Sequence, residues 1–167
     1  NNKAKGQQYF IEAMSKLKKY NIRYELVGSG DSNYLRSCAL KNGVADRVVF
    51  KGQMKHQQVL EWIDSLDIYI QPSMQEGLPR ALIEAMSRAC PAIGSSTGGI
   101  PELLPSDAIF KRGNVDSLIK TFKTIIESDL DAKAKVNFNK AKEYELEKLN
   151  SRRNVVYEQF KNYIINE

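Results

Sequence analysis

Two carboxylates and a cluster of small residues mark the stretch of this chain best equipped for chemistry. Asp67 to Ser73 (DIYIQPS) alternates apolar residues and stops at a proline. The following segment, QEGLPRALIEAMSRA, places Glu76 in a loop and Glu84 inside a helix. Pro79 suits the first helical position, where its missing N–H costs nothing and its φ is already set. Gly77 lets backbone approach a ligand closely. Unpaired N–H groups and the positive dipole end then point outward, a natural seat for phosphate. Glu84 follows about 8–9 Å further along at 1.5 Å per residue. Carboxylates accept hydrogen bonds and donate none, so a pair flanking a phosphate seat suits a nucleotide sugar, with hydroxyls on both sides of its diphosphate. The plain alternative is an exposed helix that merely carries two glutamates.

The elements that position these residues follow from periodicity. PAIGSS (Pro91 to Ser96) reads as a strand and TGGIPE (Thr97 to Glu102) as a glycine-rich turn ending in a carboxylate, whose plain role is to reverse the chain. Upstream, Gln7 to Tyr20 reads as a helix with Phe10, Met14 and Leu17 inward. A strand from Arg23 to Val27 empties into Gly28-Ser29-Gly30. A helix then runs to about Asn42, with Leu35, Cys38 and Ala39 inward and Asp31 or Ser32 as its cap. Arg47 to Phe50 is a short strand and His56 to Ser65 a helix. After Ala108 to Phe110, Val115 to Glu127 is strongly amphipathic. Asp131 to Leu149 reads as a charged helix, and Ser151 can cap a last one carrying Val156, Phe160, Tyr163 and Ile164. Strands alternating with helices of this kind predict an α/β, Rossmann-like parallel sheet with helices on both faces. Ligands bind such sheets at the carboxyl ends of the strands.

PSMQEGLPRALIEAM resembles the E-x7-E signature of family 4 glycosyltransferases, retaining enzymes of the GT-B fold. VGSGDSNYLRSCALKNGVADRVVFKGQMKHQQVLEWIDSLDIYIQPS and PAIGSSTGGIPELL are similar to the family's flanking elements, in order. Lys5-Gly6 resembles the pair that opens its donor-binding domain. The resemblance covers residues 5 to about 110; beyond about 115 only the helical character agrees. It implies that residues 1–167 form the C-terminal, nucleotide-sugar-binding half of such an enzyme, with helices from about 115 onward. It also implies that the acceptor-binding domain and the central first strand of the sheet are missing.

The resemblance also assigns roles. Glu76 would contact the donor sugar hydroxyls as the catalytic-site carboxylate, and Glu84 the ribose. Gly77 and Leu78 would offer backbone N–H groups to the diphosphate, and Lys5 a point charge. The segment Phe50, Lys51, Gly52, Gln53 would meet the nucleobase. Gly28 and Gly30 would wall the nucleotide pocket, although a GxG alone is more often a tight turn. Arg80 could reach phosphate from the first helical turn but is no part of the family motif. Leu78-Pro79 replaces a Phe-Gly pair common in the family, and Ala89 stands where glycine is frequent. No metal or other cofactor is expected. Basic side chains and helix amides would stabilise the departing diphosphate.

Composition narrows the rivals. The chain has 167 residues and a formal net charge of +5, enough for a single core and compatible with anionic partners. No basic cluster interleaves with aromatics, so nucleic acid is not an expected partner. Cys38 and Cys90 are isolated, without metal spacing, and read as core thiols of a reducing compartment. No apolar run reaches the length of a membrane span. A cytoplasmic location follows, with a peripheral contact to the inner face of a membrane left open. His56, the only histidine, reads as a surface residue at a helix start. The competing class is a non-catalytic Rossmann-like module that binds a nucleotide or a protein.

Overall fold

Short apolar strands and amphipathic helices alternate along the chain and build an α/β unit. The structure, a computed structural model, describes residues 3–165. The ends of the expected domain, residues 1–2 and 166–167, lie outside the described residues. The elements run α1 (Gln7–Lys16), β1 (Tyr24–Val27), α2 (Asn33–Lys41), β2 (Val48–Gly52), α3 (His56–Asp64), β3 (Tyr69–Gln71) and α4 (Arg80–Ser87). They continue with β4 (Ala92–Ser95), α5 (Ile100–Leu103), β5 (Ile109–Phe110), α6 (Val115–Ile126), α7 (Leu130–Ala141) and α8 (Leu146–Ile165).

Every strand pairing is parallel, as the alternation of strands and helices requires, but the sheet comes in two parts. β1 pairs with β2, with Tyr24 opposite Val48. β3, β4 and β5 form the other part, with Ile70 opposite Ile93 and Gly94 opposite Ile109. The two parts share no strand pairing, which agrees with the expectation of a parallel sheet lacking a central strand. β1 and β3 each pair on one side only. Between them runs a groove of about 830 Å³ lined by Tyr24, Leu26, Trp62, Ile68, Ile70 and Phe122.

One apolar core spans both parts. α1 presses Phe10, Ile11 and Met14 into it, and α6 contributes Leu118, Phe122 and Ile125, all buried. The Phe10 ring meets Tyr24 edge-on at 4.8 Å and lies 5.5 Å from Phe122. Such aromatic pairs contribute about 0.5–1.5 kcal/mol beyond their burial. β4 is buried at every residue, being flanked by strands on both sides. α4 is clamped from two directions. Arg88 forms a two-pronged ion pair with Asp64 of α3, and the buried Asn137 of α7 donates to the Cys90 carbonyl at 3.0 Å.

Several boundaries differ from the sequence reading. α1 ends at Lys16, four residues before the expected Tyr20, although Leu17 is still buried. The turn at Thr97 to Glu102 contains a one-turn helix, α5. The long helix expected from Asp131 to Leu149 is broken, because Glu145 adopts an extended ψ of 141°. α8 starts from Glu145, whose carbonyl accepts the Leu149 N–H, so Ser151 lies inside that helix and does not cap it. Val156, Phe160, Tyr163 and Ile164 are all exposed on α8. No helix among the described residues is long and apolar enough to cross a membrane.

Two helices end in the same way with different residues. After α2, Gly43 takes φ 65°; the Gly43 N–H donates to Leu40 and the Val44 N–H to Ala39. After α4, Ala89 takes φ 55°; the Ala89 N–H donates to Met86 and the Cys90 N–H to Ala85. Both are Schellman closures, and the left-handed position favours glycine. A left-handed alanine costs about 1–2 kcal/mol, against about 0.5–1 kcal/mol for the extra unfolded-state freedom of glycine. Ala89→Gly is therefore expected to stabilise the fold by about 0.5–1 kcal/mol, read as a melting temperature raised by about 1–4 °C. An unchanged or lowered melting temperature would contradict this.

Burial disfavours the Cys90 thiolate and pushes the thiol from its ordinary 9.0 up to about 12. The folded chain thus keeps this proton where the unfolded chain loses it. The contribution is intact below about pH 9 and is lost as pH rises towards 12. At pH 9–10 iodoacetamide is expected to alkylate the half-buried Cys38 first, with Cys90 labelled at a comparable rate only in urea. Equal rates in the folded chain would refute the assignment.

Candidate functional site

The strand ends and the start of α4 meet at one edge of the fold. β3 ends at Gln71, and the chain passes through Pro72 and the fully buried Ser73 before turning out at Glu76. Two backbone contacts hold this loop. The first is with Gly6, at φ 71°, where a Cβ would stand 1.8 Å from the Pro72 carbonyl oxygen. Beside it the Met74 N–H donates to Ala4 at 2.8 Å. The second is with Gly98, at φ 54°, where a Cβ would stand 1.9 Å from the Glu76 carbonyl oxygen. The neighbouring Gly99 N–H donates to Gly77 at 2.7 Å. The glycine-rich stretch after β4 is thus the buttress of the Glu76 loop, a role beyond reversing the chain.

These contacts bring Lys5 to Glu76. The Lys5 ammonium lies 3.1 Å from Glu76 Oε2 and 3.4 Å from Oε1. The Glu76 side chain is 13% exposed, that of Lys5 55%. Ser73 Oγ donates to Glu76 Oε2 at 2.8 Å, and Gln71 Nε2 donates to the same oxygen at 3.2 Å and to Ser73 Oγ at 2.9 Å. Tyr69 OH donates to Gln71 Oε1 at 2.8 Å. Burial, then the nearby charges of Glu84 and Glu76, raise the Tyr69 phenol above its usual range, so it stays a donor.

α4 opens one residue later than expected. Pro79 has φ −78° and ψ 96°, an extended conformation, so it is the N-cap and Arg80 the first helical residue. The Pro79 carbonyl accepts the Leu82 N–H at 3.1 Å. The helix mouth opens on a cavity of about 590 Å³ lined by Lys5, Gln71, Glu76, Leu78, Pro79, Arg80, Ala81 and Glu84. Glu84 sits on the second turn, half-buried, and faces the same space as Glu76. The cavity shares Lys5, Gln71, Ala81 and Glu84 with the apolar groove, whose lining also includes Gly28. The groove is the larger space, but the charged groups converge on the smaller one.

Other expected site residues stand apart. Gly30 is exposed beyond β1 and lines neither space. Phe50 packs against the core, with the Arg36 guanidinium 4.2 Å above its ring. Lys51 pairs with Glu25 at 3.4 Å. Glu102 is exposed on α5 and lines neither space; His56 is exposed at the start of α3. Among the described residues no group of three or more His, Cys, Asp or Glu is placed to hold a metal ion.

Tyr69, Gln71 and Ser73 were not read from the sequence as site residues. The signal was present. Residues i, i+2 and i+4 of an extended segment share one face, and here all three carry polar groups ending beside Glu76.

Comparison with known proteins identifies the family and the fold. Residues 2–144 match the family model described as glycosyl transferases group 1. Protein CapJ of Staphylococcus aureus is 37% identical over 119 residues, covering 70% of this chain and 30% of that protein. The sucrose-phosphate synthase of Thermosynechococcus elongatus superposes with a TM-score of 0.84 at 19% identity, over 96% of this chain and 43% of that one. Anabaena HepE, solved in complex with UDP, gives 0.78 at 20% identity, over 95% and 46%. The chain spans less than half of each of these proteins, and the two solved structures carry the GT-B fold, of which it forms one half. With the family model matching most of its length, this chain belongs to the glycosyl transferases group 1 family.

Proposed function

We propose that this chain is the donor-binding, C-terminal half of a retaining, family 4 glycosyltransferase, and that the cavity at the mouth of α4 seats the diphosphate of a nucleotide sugar. The observation that carries the reading is the placing of Glu76 and Glu84 on one 590 Å³ cavity, with the helix start between them. In this reading the amides of Gly77, Leu78, Arg80 and Ala81 and the positive end of α4 face the phosphates. Lys5 and Arg80 add charge. Glu84 accepts from the ribose, and Glu76 accepts from the sugar.

Transfer breaks the bond between the sugar C1 and the β-phosphate oxygen. A new bond forms to an acceptor hydroxyl on the same face, and the hydroxyl proton leaves with the diphosphate. Negative charge grows on the leaving group, where preoriented donors lower the barrier. Lys5 changes partner from Glu76 to the diphosphate as the donor enters. No metal is needed in this scheme. The acceptor, a glycan or a lipid, is held by a second domain that this chain does not include, so the chain alone binds donor without transferring the sugar. The whole enzyme works in the cytoplasm on polysaccharide or glycoconjugate synthesis, at the inner face of a membrane when the acceptor is a lipid. HepE, with the same fold, was solved with UDP, which supports a nucleoside diphosphate as the ligand class.

Calorimetric titration with UDP-glucose, UDP-N-acetylglucosamine and GDP-mannose tests the reading. At least one is expected to bind. A hydrogen bond to a charged group contributes about 1.5–3 kcal/mol, so Glu84→Ala is expected to weaken that binding about tenfold to a hundredfold. Folded chain that ignores every nucleotide would sink the proposal. Binding without any response to the sugar would favour a plain nucleotide-binding module.

Gly98→Ala tests the buttress. The added Cβ meets backbone at 1.9 Å, and the loop must move. Donor affinity is expected to fall about tenfold or more, as a displacement near 1 Å does to a preorganised site. Unchanged affinity would show that the contact with Glu76 is dispensable.

A further inference from the structure

The two oxygens of Glu76 are not equivalent. Oε2 accepts from Ser73 Oγ at 2.8 Å, Lys5 Nζ at 3.1 Å and Gln71 Nε2 at 3.2 Å. Oε1 has one long contact, to Lys5 at 3.4 Å. A carboxylate oxygen offers about two acceptor sites, so Gln71 and Ser73 fill Oε2 even when Lys5 turns to the diphosphate. Gln71 is 7% exposed and Ser73 fully buried. The amide of Gln71 has no freedom to turn over. Its Oε1 takes the Tyr69 hydroxyl at 2.8 Å, and a flipped amide would set acceptor against acceptor at Glu76. The chain of donors therefore runs one way, from Tyr69 to Gln71, to Ser73, and to Glu76 Oε2, and such chains polarise one another.

We propose that Gln71, fixed by Tyr69, is a positioning residue that ties down Glu76 Oε2 and so offers Oε1 alone to a hydroxyl of the donor sugar. This rests on the donor-site reading above and adds a specificity to it. The group that meets Oε1 is a hydrogen-bond donor on the sugar ring, and its recognition depends on two residues that act through Glu76. Gln71 is not interchangeable with an apolar residue of its size, although its buried place at the end of β3 would accept one.

The test separates sugar recognition from nucleotide binding. Dissociation constants are measured on the full chain for UDP against UDP-glucose and UDP-N-acetylglucosamine, and for GDP against GDP-mannose, in wild type, Gln71→Met and Tyr69→Phe. For the pair that wild type binds best, the ratio of nucleotide to nucleotide-sugar dissociation constants is the readout. Gln71→Met is expected to lower that ratio about fivefold, the size of one lost hydrogen bond. Tyr69→Phe keeps the ring and removes only the anchor. It is expected to move the ratio the same way by about two- to threefold, and it decides the matter if Gln71→Met does not fold. A ratio unchanged in the folded variants, or nucleotide and nucleotide sugar weakened equally, overturns the inference while leaving the donor site standing. A wild-type chain that binds none of these probes overturns the donor-site reading and this inference with it.

Discussion

Backbone pressed on backbone is the constraint on which the site depends. At Gly6 and at Gly98 a single added carbon would lie within 2 Å of a carbonyl oxygen of the Pro72–Glu76 segment. Only a residue without a side chain can approach so closely, and both glycines also take a left-handed φ that other residues avoid. The first contact delivers Lys5, and the second fixes the height of Glu76 and Gly77. The loop between β3 and α4 has little structure of its own, yet it is held on both sides like an inlaid piece.

The rest of the fold keeps those two clamps in register. α1 carries Gly6 at its start and is locked to the core by Phe10, Ile11 and Met14. α5 carries Gly99 as its N-cap and is locked by Ile100 and Leu103. α4 hangs between them, pinned at its far end by Asp64 and Asn137. Apolar burial on elements remote from the cavity is thus converted into position at Glu76. The charged and polar groups contribute direction: a saturated Oε2 and an Oε1 with one long contact make one carboxylate into an aimed acceptor.

Much of this was legible in the sequence, and the rest was not for definable reasons. Helical spacing identified α6, whose Leu118, Phe122 and Ile125 are all buried, because a one-sided apolar stripe has few other solutions. Strand-to-loop punctuation put Glu76 and Glu84 near a helix start, and the structure places both on one cavity. Pro79 was placed one residue too far into the helix, since sequence shows that a proline tolerates the start but not which ψ it takes. The break at Glu145 was invisible because charged residues continue on both sides of it. Gln71 and Ser73 were passed over because alternation shows which face a residue shares and gives no partner. The split between β1 and β3 follows from no periodicity; only the resemblance pointed to a gap in the middle of the sheet.

The most direct test of the account follows backbone amides by heteronuclear NMR while UDP is added to the chain. If the mouth of α4 seats the diphosphate, the largest shifts fall on Gly77, Leu78, Arg80 and Ala81, with smaller ones at Lys5 and Gly6. Shifts confined to the apolar groove between β1 and β3, or no shift at the α4 amides at millimolar UDP, would contradict it.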